Sequence, residues 1–182
     1  MKIAVREHGE HLKIIFLDID GVLNSVASII ALYDDKPVRN EEGFDHVSVG
    51  LLKRLCKTTD AKIVISSTWR KLYTYEEFLE IFSRKGWQDF PMIGTTPVNQ
   101  SHGLCRGHEI KDWLDANEVE TYIILDDDSD MLPEQNGNFI HCSNVEGFRL
   151  KHYCKALRLL GCPDEQLESQ VNFVRKTTIG EV

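Results

Sequence analysis

The sequence predicts a three-layer α/β fold, in which helices cover both faces of a mostly parallel β-sheet. Three short apolar runs, 14–17, 61–65 and 121–125, are typical of strands buried on both faces. Segments with helical periodicity separate these runs, and such alternation favours parallel strands joined by crossover helices. Each run also ends in oxygen-bearing side chains. Because open sheets of this kind bind ligands at the carboxyl ends of their strands, we expect a functional site there.

The first strand leads directly into two carboxylates. Four apolar residues, 14–17, are followed by Asp18 and Asp20, one residue apart. The side chains of residues i and i+2 of an extended chain point the same way, so both carboxylates can reach the same point in space. Carboxylates about 4 Å apart repel by roughly 4 kcal/mol at an effective dielectric near 20. A fold that keeps them together is therefore expected to add a cation or a proton, and Gly21 lets the chain turn beside them.

The next segment, 24–46, mixes apolar residues with polar and helix-breaking ones, and we expect a short helix or flap over the site. Apolar residues then recur on one face of a predicted helix over 48–59. The second strand, 61–65, ends at Ser66 and Ser67. Their hydroxyl groups are thus predicted at the same sheet edge as the first pair of carboxylates.

The second half of the chain continues the alternation. Thr74 and Glu77 form a capping-box pattern before an apolar helical face, and Gly86 ends that helix. The third strong strand runs into Asp126 and Asp127. The predicted elements after the second strand are a helix at 75–85, a weak strand at 90–94, a loop at 95–104, a helix at 106–114, strands at 121–125 and 139–142, a helix at 150–160, and a last helix that begins at Asp164 and carries Leu167, Val171 and Val174.

Length and composition limit the class of protein. A chain of 182 residues is long enough for one well-packed domain. It contains no apolar run of the roughly 18 residues that a membrane span needs, and its opening residues lack a signal-length apolar core. The five cysteines are scattered and odd in number, which favours reduced thiols over a disulfide framework. We therefore expect a cytoplasmic protein that does not associate with membranes.

The net charge of −8 argues against broad, sequence-independent binding of nucleic acid, which depends on a basic surface. This charge is compatible with a protein that binds only the end of a nucleic acid through a few basic side chains.

Taken in chain order, these motifs resemble those of the haloacid dehalogenase (HAD) superfamily of phosphohydrolases. Val22 departs from the pattern, because many members have Thr there. The similarity runs over about 12–160, which implies a HAD-like core there, a small flap at about 24–46 and a C-terminal helix and tail at 161–182. Four motifs carry the resemblance: Asp18 and Asp20, then Ser66, then Arg106, then Asp126 and Asp127.

Within the superfamily, the chain is similar to the HAD domain of bacterial and phage RNA-repair (Swiss Army Knife) proteins. Five short stretches carry this similarity: 18–24, 66–70, 94–97, 106–114 and 125–128. The resemblance implies a phosphatase whose substrate is a terminal phosphate of a nucleotide, RNA or DNA.

The resemblance also implies a role for each matched residue. Asp18 would attack phosphorus to form an aspartyl-phosphate, and Asp20 would protonate the leaving oxygen and later activate water. Ser66 and Arg106 would hold the oxygens of the transferring group. The ligands of a Mg²⁺ ion would be Asp18, the main-chain carbonyl of Asp20, Asp126 and, directly or through water, Asp127.

Several assignments have alternatives in the sequence. Ser67 competes with Ser66, although Ser66 directly follows the apolar run. Lys111 or Arg70 could supply the phosphate-binding cation in place of Arg106, which suits bidentate contact with phosphate.

Three further side-chain groups have structural interpretations. Trp69 and Trp113 are interpreted as core residues rather than as a platform for substrate. The spacing of Asp126, Asp128 and Asp130 imitates a calcium loop, but a strand precedes it and Met131 stands where Gly is required. Asp130 is better explained as a helix cap or as support for the other carboxylates.

The sequence is also compatible with other functions. A phosphatase acting on a small phosphorylated metabolite fits the same motifs, and so does a catalytically silent HAD-like binding module. A receiver module that holds phosphate on aspartate is disfavoured, because Asp18 lies on the first strand with Asp20 beside it.

Overall fold

A computed structural model describes residues 12–32, 43–98 and 105–163, together with Ser169. Its strands form one sheet in which every pairing is parallel. The strands are β1 (Lys13–Leu17), β2 (Lys62–Ile65), β3 (Met92–Thr95), β4 (Thr121–Asp126) and β5 (Phe139–His141). Their order across the sheet is β3-β2-β1-β4-β5, which places β1 at the centre.

The helices begin and end close to the predicted positions. They are α1 (Val26–Leu32), α2 (His46–Thr59), α3 (Tyr75–Arg84), α4 (Arg106–Asp115) and α5 (Leu150–Leu159). The capping box predicted for α3 is present, with the Thr74 side chain on the Glu77 N–H and the Glu77 side chain on the Thr74 N–H. Short 3₁₀ helices at Thr68–Lys71 and Pro133–Gln135 complete the regular structure of the described residues.

The core lies on both faces of the sheet because successive residues of a strand point to opposite sides. Ile15 and Leu17 of β1 belong to the larger apolar cluster, which includes buried residues of α2, α3 and α5. Ile14 and Phe16 belong to a smaller cluster on the other face, with Ile110 of α4. The predicted three-layer α/β fold is therefore confirmed.

Some predictions are shifted or lie outside the described residues. The weak strand predicted at 90–94 is observed as β3, but it is shifted toward the C-terminus. It ends at Thr95 because its pairing with β2 extends to that residue. Within the predicted flap at 24–46, α1 is a short helix that has no buried residue, and its role as a flap stays a prediction. Residues 33–42 of the predicted flap, most of the predicted loop at 95–104 and, apart from Ser169, the last predicted helix from Asp164 onward lie outside the described residues. No helix within the described parts of the chain combines the length and the apolar character needed to cross a membrane.

Candidate active site

The predicted aspartates and Ser66 lie at or just after the carboxyl ends of the three central strands. Asp18 follows β1, and Asp126 is the last residue of β4, the strand beside it. The Asp18 N–H donates to the carbonyl oxygen of Leu125 over 2.9 Å, and the Ser66 N–H donates to that of Leu17 over 2.9 Å. Hydrogen bonds of the sheet therefore hold these strand ends side by side.

Three carboxylates converge at this edge of the sheet. One oxygen from each of Asp18, Asp126 and Asp127 lies within 4.8 Å of the other two. Asp18 is 4% exposed and Asp126 is fully buried. Gly21, at φ +71°, passes so close that a Cβ there would lie 2.3 Å from the Asp127 carboxylate. Only glycine therefore allows the turn after β1 to approach the end of β4 in this way.

Arg106, the first residue of α4, supplies the cation of this cluster. Its Nη1 lies 2.8 Å from Asp18 Oδ1 and 2.9 Å from Asp126 Oδ2. Both contacts are ion pairs, but neither is an aligned hydrogen bond. Burial alone would lower the pKa of Arg106, but the Asp18 and Asp126 charges outweigh it and raise that pKa. The α4 terminus is itself held by Asp130, whose Oδ2 accepts from the Arg106 N–H over 2.8 Å. This contact agrees with the interpretation of Asp130 as a helix cap.

One arginine does not compensate three crowded carboxylates. Burial, followed by repulsion from Asp18, raises the pKa of Asp126 well above the usual range of an aspartate. The same two causes raise the pKa of Asp127 to about 6. Negative charge is thus disfavoured here unless a further cation is present.

The donor set fits a hard divalent cation. Carboxylate oxygens are the ligands that Mg²⁺ prefers, and the cluster offers three of them at close range. Asp126 Oδ2 is buried and, apart from its ion pair with Arg106, has no hydrogen-bond partner among the described residues, so this oxygen can also accept a metal ion.

The two candidate serines differ in what their hydroxyl groups contact. Ser67 Oγ accepts from the Trp69 N–H over 3.4 Å and caps the 3₁₀ helix at Thr68–Lys71. Ser66 Oγ is buried, and no hydrogen bond to it is found in the part of the chain that the structure describes. The Ser66 hydroxyl is therefore the one free to bind a ligand, while its assignment to phosphate stays a prediction.

Of the three candidate cations, Arg106 is the one that the structure places in contact with the carboxylates. Lys111 instead lies on the exposed side of α4, where its Nζ contacts Asp115 Oδ1 at 2.9 Å.

The third candidate cation, Arg70, makes its contacts outside the carboxylate cluster. It forms a buried ion pair with Glu109 of α4. Its Nη1 also donates to the carbonyl oxygens of Ser66 and Ser67, each over 2.6 Å. Arg70 therefore connects the end of β2 to α4, which carries Arg106. No local sequence pattern predicts this link, because Glu109 is 39 residues away from Arg70.

Asp20 is exposed, and both of its oxygens are held by donors. Asn24 Nδ2 donates to Oδ1 over 2.8 Å, and Trp69 Nε1 donates to Oδ2 over 2.8 Å. Trp69 is buried, as expected for a core residue, but the interpretation as core alone missed this hydrogen bond. Trp113 is a core residue, which packs edge-to-face on Phe16 with ring centroids 5.4 Å apart.

A parallel α/β sheet with a carboxylate cluster, a serine and an arginine at its central strand ends defines a domain of the HAD type. A comparison with protein families agrees with this class: residues 14–153 match the model described as the HAD domain in Swiss Army Knife RNA repair proteins. The chain belongs to this family, and the resemblance seen in the sequence is confirmed. The family indicates a hydrolase of the HAD superfamily. No significant match is found among curated proteins or among solved structures.

Proposed function

We propose that this protein is a Mg²⁺-dependent phosphomonoesterase that works through an aspartyl-phosphate on Asp18. The observation that carries the proposal is the position of Asp18. It is buried at the end of the central strand, 2.8 Å from Arg106, and it shares a cluster with two further carboxylates. A nucleophile held beside fixed positive charge is what phosphoryl transfer requires.

The first half-reaction moves the phosphoryl group to the protein. Asp18 attacks phosphorus, so that a bond forms between its carboxylate oxygen and phosphorus as the bond to the leaving oxygen breaks. Asp20 gives its proton to that leaving oxygen. In the second half-reaction Asp20 takes a proton from water, which attacks phosphorus and releases inorganic phosphate and free Asp18. Ser66 Oγ and the Arg106 guanidinium hold the non-bridging oxygens in both steps.

The side chains of Asp18, Asp126 and Asp127 and the main-chain carbonyl of Asp20 would hold the Mg²⁺ ion. When bound, the ion neutralises the charge that carboxylates and phosphate bring together. The raised pKa values of Asp126 and Asp127 support this part of the proposal, since both show that negative charge is in excess.

A terminal phosphate of a nucleotide or of an RNA or DNA end is the proposed substrate, and the family's connection with RNA repair supports it. The net charge of −8 favours recognition of a short end over binding along a polynucleotide. The same negative charge disfavours contact with a long polynucleotide, and it therefore also favours a second candidate substrate, a phosphorylated small metabolite.

The test is release of inorganic phosphate with and without Mg²⁺. The substrates are 3′- and 5′-phosphorylated nucleotides and oligonucleotides, together with sugar phosphates. Wild type is compared with Asp18→Asn and with a control, Asp115→Asn, which changes an exposed carboxylate of α4. We expect metal-dependent release that Asp18→Asn abolishes and Asp115→Asn retains.

The substrate panel separates the candidates. Preference for phosphorylated oligonucleotide ends supports end repair, whereas preference for sugar phosphates supports the metabolite phosphatase. Absence of release from every substrate, in a folded protein that binds Mg²⁺, would overturn the proposal in favour of a silent binding module.

A further inference from the structure

We propose that Trp69 is a positioning residue that aims the acid/base carboxyl group of Asp20 through its indole N–H. The inference rests on the proposed function, and it deepens it by assigning a residue outside the matched catalytic positions. It starts from a single contact, the 2.8 Å hydrogen bond from Trp69 Nε1 to Asp20 Oδ2.

Asp20 needs such support because of where it lies. It is exposed, on the turn that follows β1, whereas Asp18 two residues earlier is buried. An exposed carboxylate rotates freely among its rotamers unless a contact selects one of them. General acid catalysis requires the proton donor to lie within hydrogen-bond reach of the leaving oxygen, so loss of orientation costs rate.

The indole that makes this contact is itself fixed. Trp69 is 1% exposed and lies at the start of the 3₁₀ helix that Ser67 caps. Its rings pack against Phe44, with centroids 5.7 Å apart, and against Tyr73, with centroids 5.3 Å apart. Because protein interiors are close-packed, the indole cannot turn without displacing these neighbours. Its N–H is therefore a donor with a fixed direction.

The other donor to Asp20 has a different character. Asn24 belongs to the same turn as Asp20, and the Gly21 N–H donates to its carbonyl oxygen over 2.9 Å. The Asn24 side chain, which is buried, therefore holds the carboxylate within this turn. Trp69 lies 49 residues further along the chain and ties that carboxylate to the end of β2. Of the two donors, Trp69 is the one that comes from a different strand end, so it fixes Asp20 relative to β2.

The consequence is a dependence on the leaving group. When the bond between phosphorus and an alkoxide oxygen breaks, that oxygen must receive the proton of Asp20. The p-nitrophenolate ion is stable without a proton, so it depends much less on the acid. Weakened positioning of Asp20 should therefore impair hydrolysis of an alkyl phosphate and largely spare that of p-nitrophenyl phosphate.

The experiment compares kcat/KM for a nucleoside monophosphate and for p-nitrophenyl phosphate in wild type and Trp69→Phe. Phenylalanine keeps an aromatic ring in the core but removes the N–H donor. We expect kcat/KM to fall about 10- to 100-fold for the nucleotide and less than about 3-fold for the aryl phosphate. Asp20→Asn should show the same selectivity with a larger loss for the nucleotide.

Trp87→Phe is the matched control. Trp87 is 2% exposed in the same apolar cluster and packs against Phe82 and Phe90 instead of contacting the site. This variant should leave the ratio of the two kcat/KM values unchanged. Equal losses for both substrates in Trp69→Phe, or the same ratio as in Trp87→Phe, would overturn the positioning role and leave the phosphatase proposal intact. A wild-type protein inactive on both substrates would instead overturn the proposed function.

A second measurement tests the contact without relying on catalysis or on the folding of Trp69→Phe. The three tryptophans give three indole N–H cross-peaks in a ¹H–¹⁵N spectrum. Asp20→Ala removes the acceptor, so the Trp69 peak should move upfield while those of Trp87 and Trp113 stay. Asp128→Ala, which removes an exposed carboxylate near the site, should leave all three in place. A Trp69 peak that does not respond to Asp20→Ala would contradict the proposal.

Discussion

Two clusters of aspartate and arginine in this molecule use the same side chains with opposite electrostatic results. At the start of α2, Asp45 accepts hydrogen bonds from the Val47 N–H over 3.0 Å and from Ser48 Oγ over 3.1 Å. Arg149 pairs with the same carboxylate and also donates to Ser48 Oγ over 2.8 Å. Burial alone would raise the pKa of Asp45, but these hydrogen bonds and the Arg149 charge lower it. We call this group the α2 cap cluster.

At the strand ends, Arg106 faces Asp18 and Asp126 with Asp127 beside them, and the pKa values of Asp126 and Asp127 are raised. The α2 cap cluster has one carboxylate for one arginine and a hydrogen-bond donor for each carboxylate oxygen. Its negative charge is therefore balanced, and both oxygens are paired. The strand-end cluster has three carboxylates for one arginine and an oxygen without a hydrogen bond, so it favours a further cation. The difference indicates that the first cluster stabilises the fold and that the second is organised for a ligand.

The largest expected effect separates Arg106 from Lys111, the other cation of α4, by activity. Arg106→Ala should lower kcat for phosphate release by about 10²- to 10³-fold, because it removes the positive charge from the transferring oxygens. Lys111→Ala, which changes an exposed cation on the same helix, should retain activity within about 3-fold. Steady-state kinetics on the preferred substrate check both values. Comparable losses in the two variants would remove the distinction between these cations.

The next effect concerns metal binding. Mg²⁺ at about 100 times its dissociation constant should stabilise the wild-type protein by about 2.7 kcal/mol, which raises Tm by roughly 5–10 °C. Asp126→Asn should abolish this increase, whereas Asp45→Asn should retain it, because the α2 cap cluster has no role in binding the ion. Differential scanning calorimetry with Mg²⁺ and with EDTA makes the comparison. An equal Mg²⁺ response in Asp126→Asn would exclude this cluster as the metal site.

A smaller effect is expected on stability when the α2 cap cluster is broken. Arg149→Ala removes charge-assisted hydrogen bonds to Asp45 and Ser48, and we expect a loss of about 1–2 kcal/mol in the free energy of unfolding. Activity per folded molecule should not change. Urea denaturation gives the loss. An activity loss that exceeds the unfolded fraction would show that this cluster also serves the site.

The smallest effect is the opposite pH dependence of the two clusters in metal-free protein. Asp45 has a lowered pKa, so its contribution to stability is present above the unfolded pKa, near 3.8, and is lost as pH falls through its folded value. Asp127 has a folded pKa of about 6, so the folded protein loses stability as pH rises from about 4 to 6.

At pH 7.5 in EDTA, Asp127→Asn should therefore raise Tm by about 1–2 °C, a value reduced for the partial solvent screening of this side chain. Asp45→Asn should lower Tm under the same conditions. Near pH 4 the stabilisation by Asp127→Asn should disappear. Thermal unfolding measured across this pH range gives both trends, and a Tm change of the same sign in the two variants at pH 7.5 would refute the contrast.

The fold and the composition of the site could be predicted because their signals are local. Four consecutive apolar residues define β1, and Asp18 follows within the same stretch. The sequence favours Ser66 over Ser67 for the same reason, since Ser66 directly follows β2, and the Ser66 hydroxyl has no hydrogen-bond partner among the described residues. The identity of Arg106 as the cation was a choice among three candidates, and the fold places it against the carboxylates.

The contacts that hold the site could not be predicted, because they join distant parts of the chain. The bond from Trp69 to Asp20 spans 49 residues, and the bond from Arg70 to Glu109 spans 39. Neither pair leaves a periodic pattern in the sequence. A tryptophan after an apolar strand is interpreted as core on composition alone, and only the hydrogen bond to Asp20 in the folded chain shows where its N–H points.

The central position of β1 has a consequence for how the protein is made. Lys13 pairs with Thr121, so β1, which leads into Asp18, acquires its neighbour β4 only after all the residues between the two strands have been synthesised. A nascent polypeptide still attached to the ribosome at residue 120 contains Asp18 and Arg106 but neither Asp126 nor Asp127. Such an intermediate cannot assemble the carboxylate cluster, because β4, which ends in Asp126, has not yet been made.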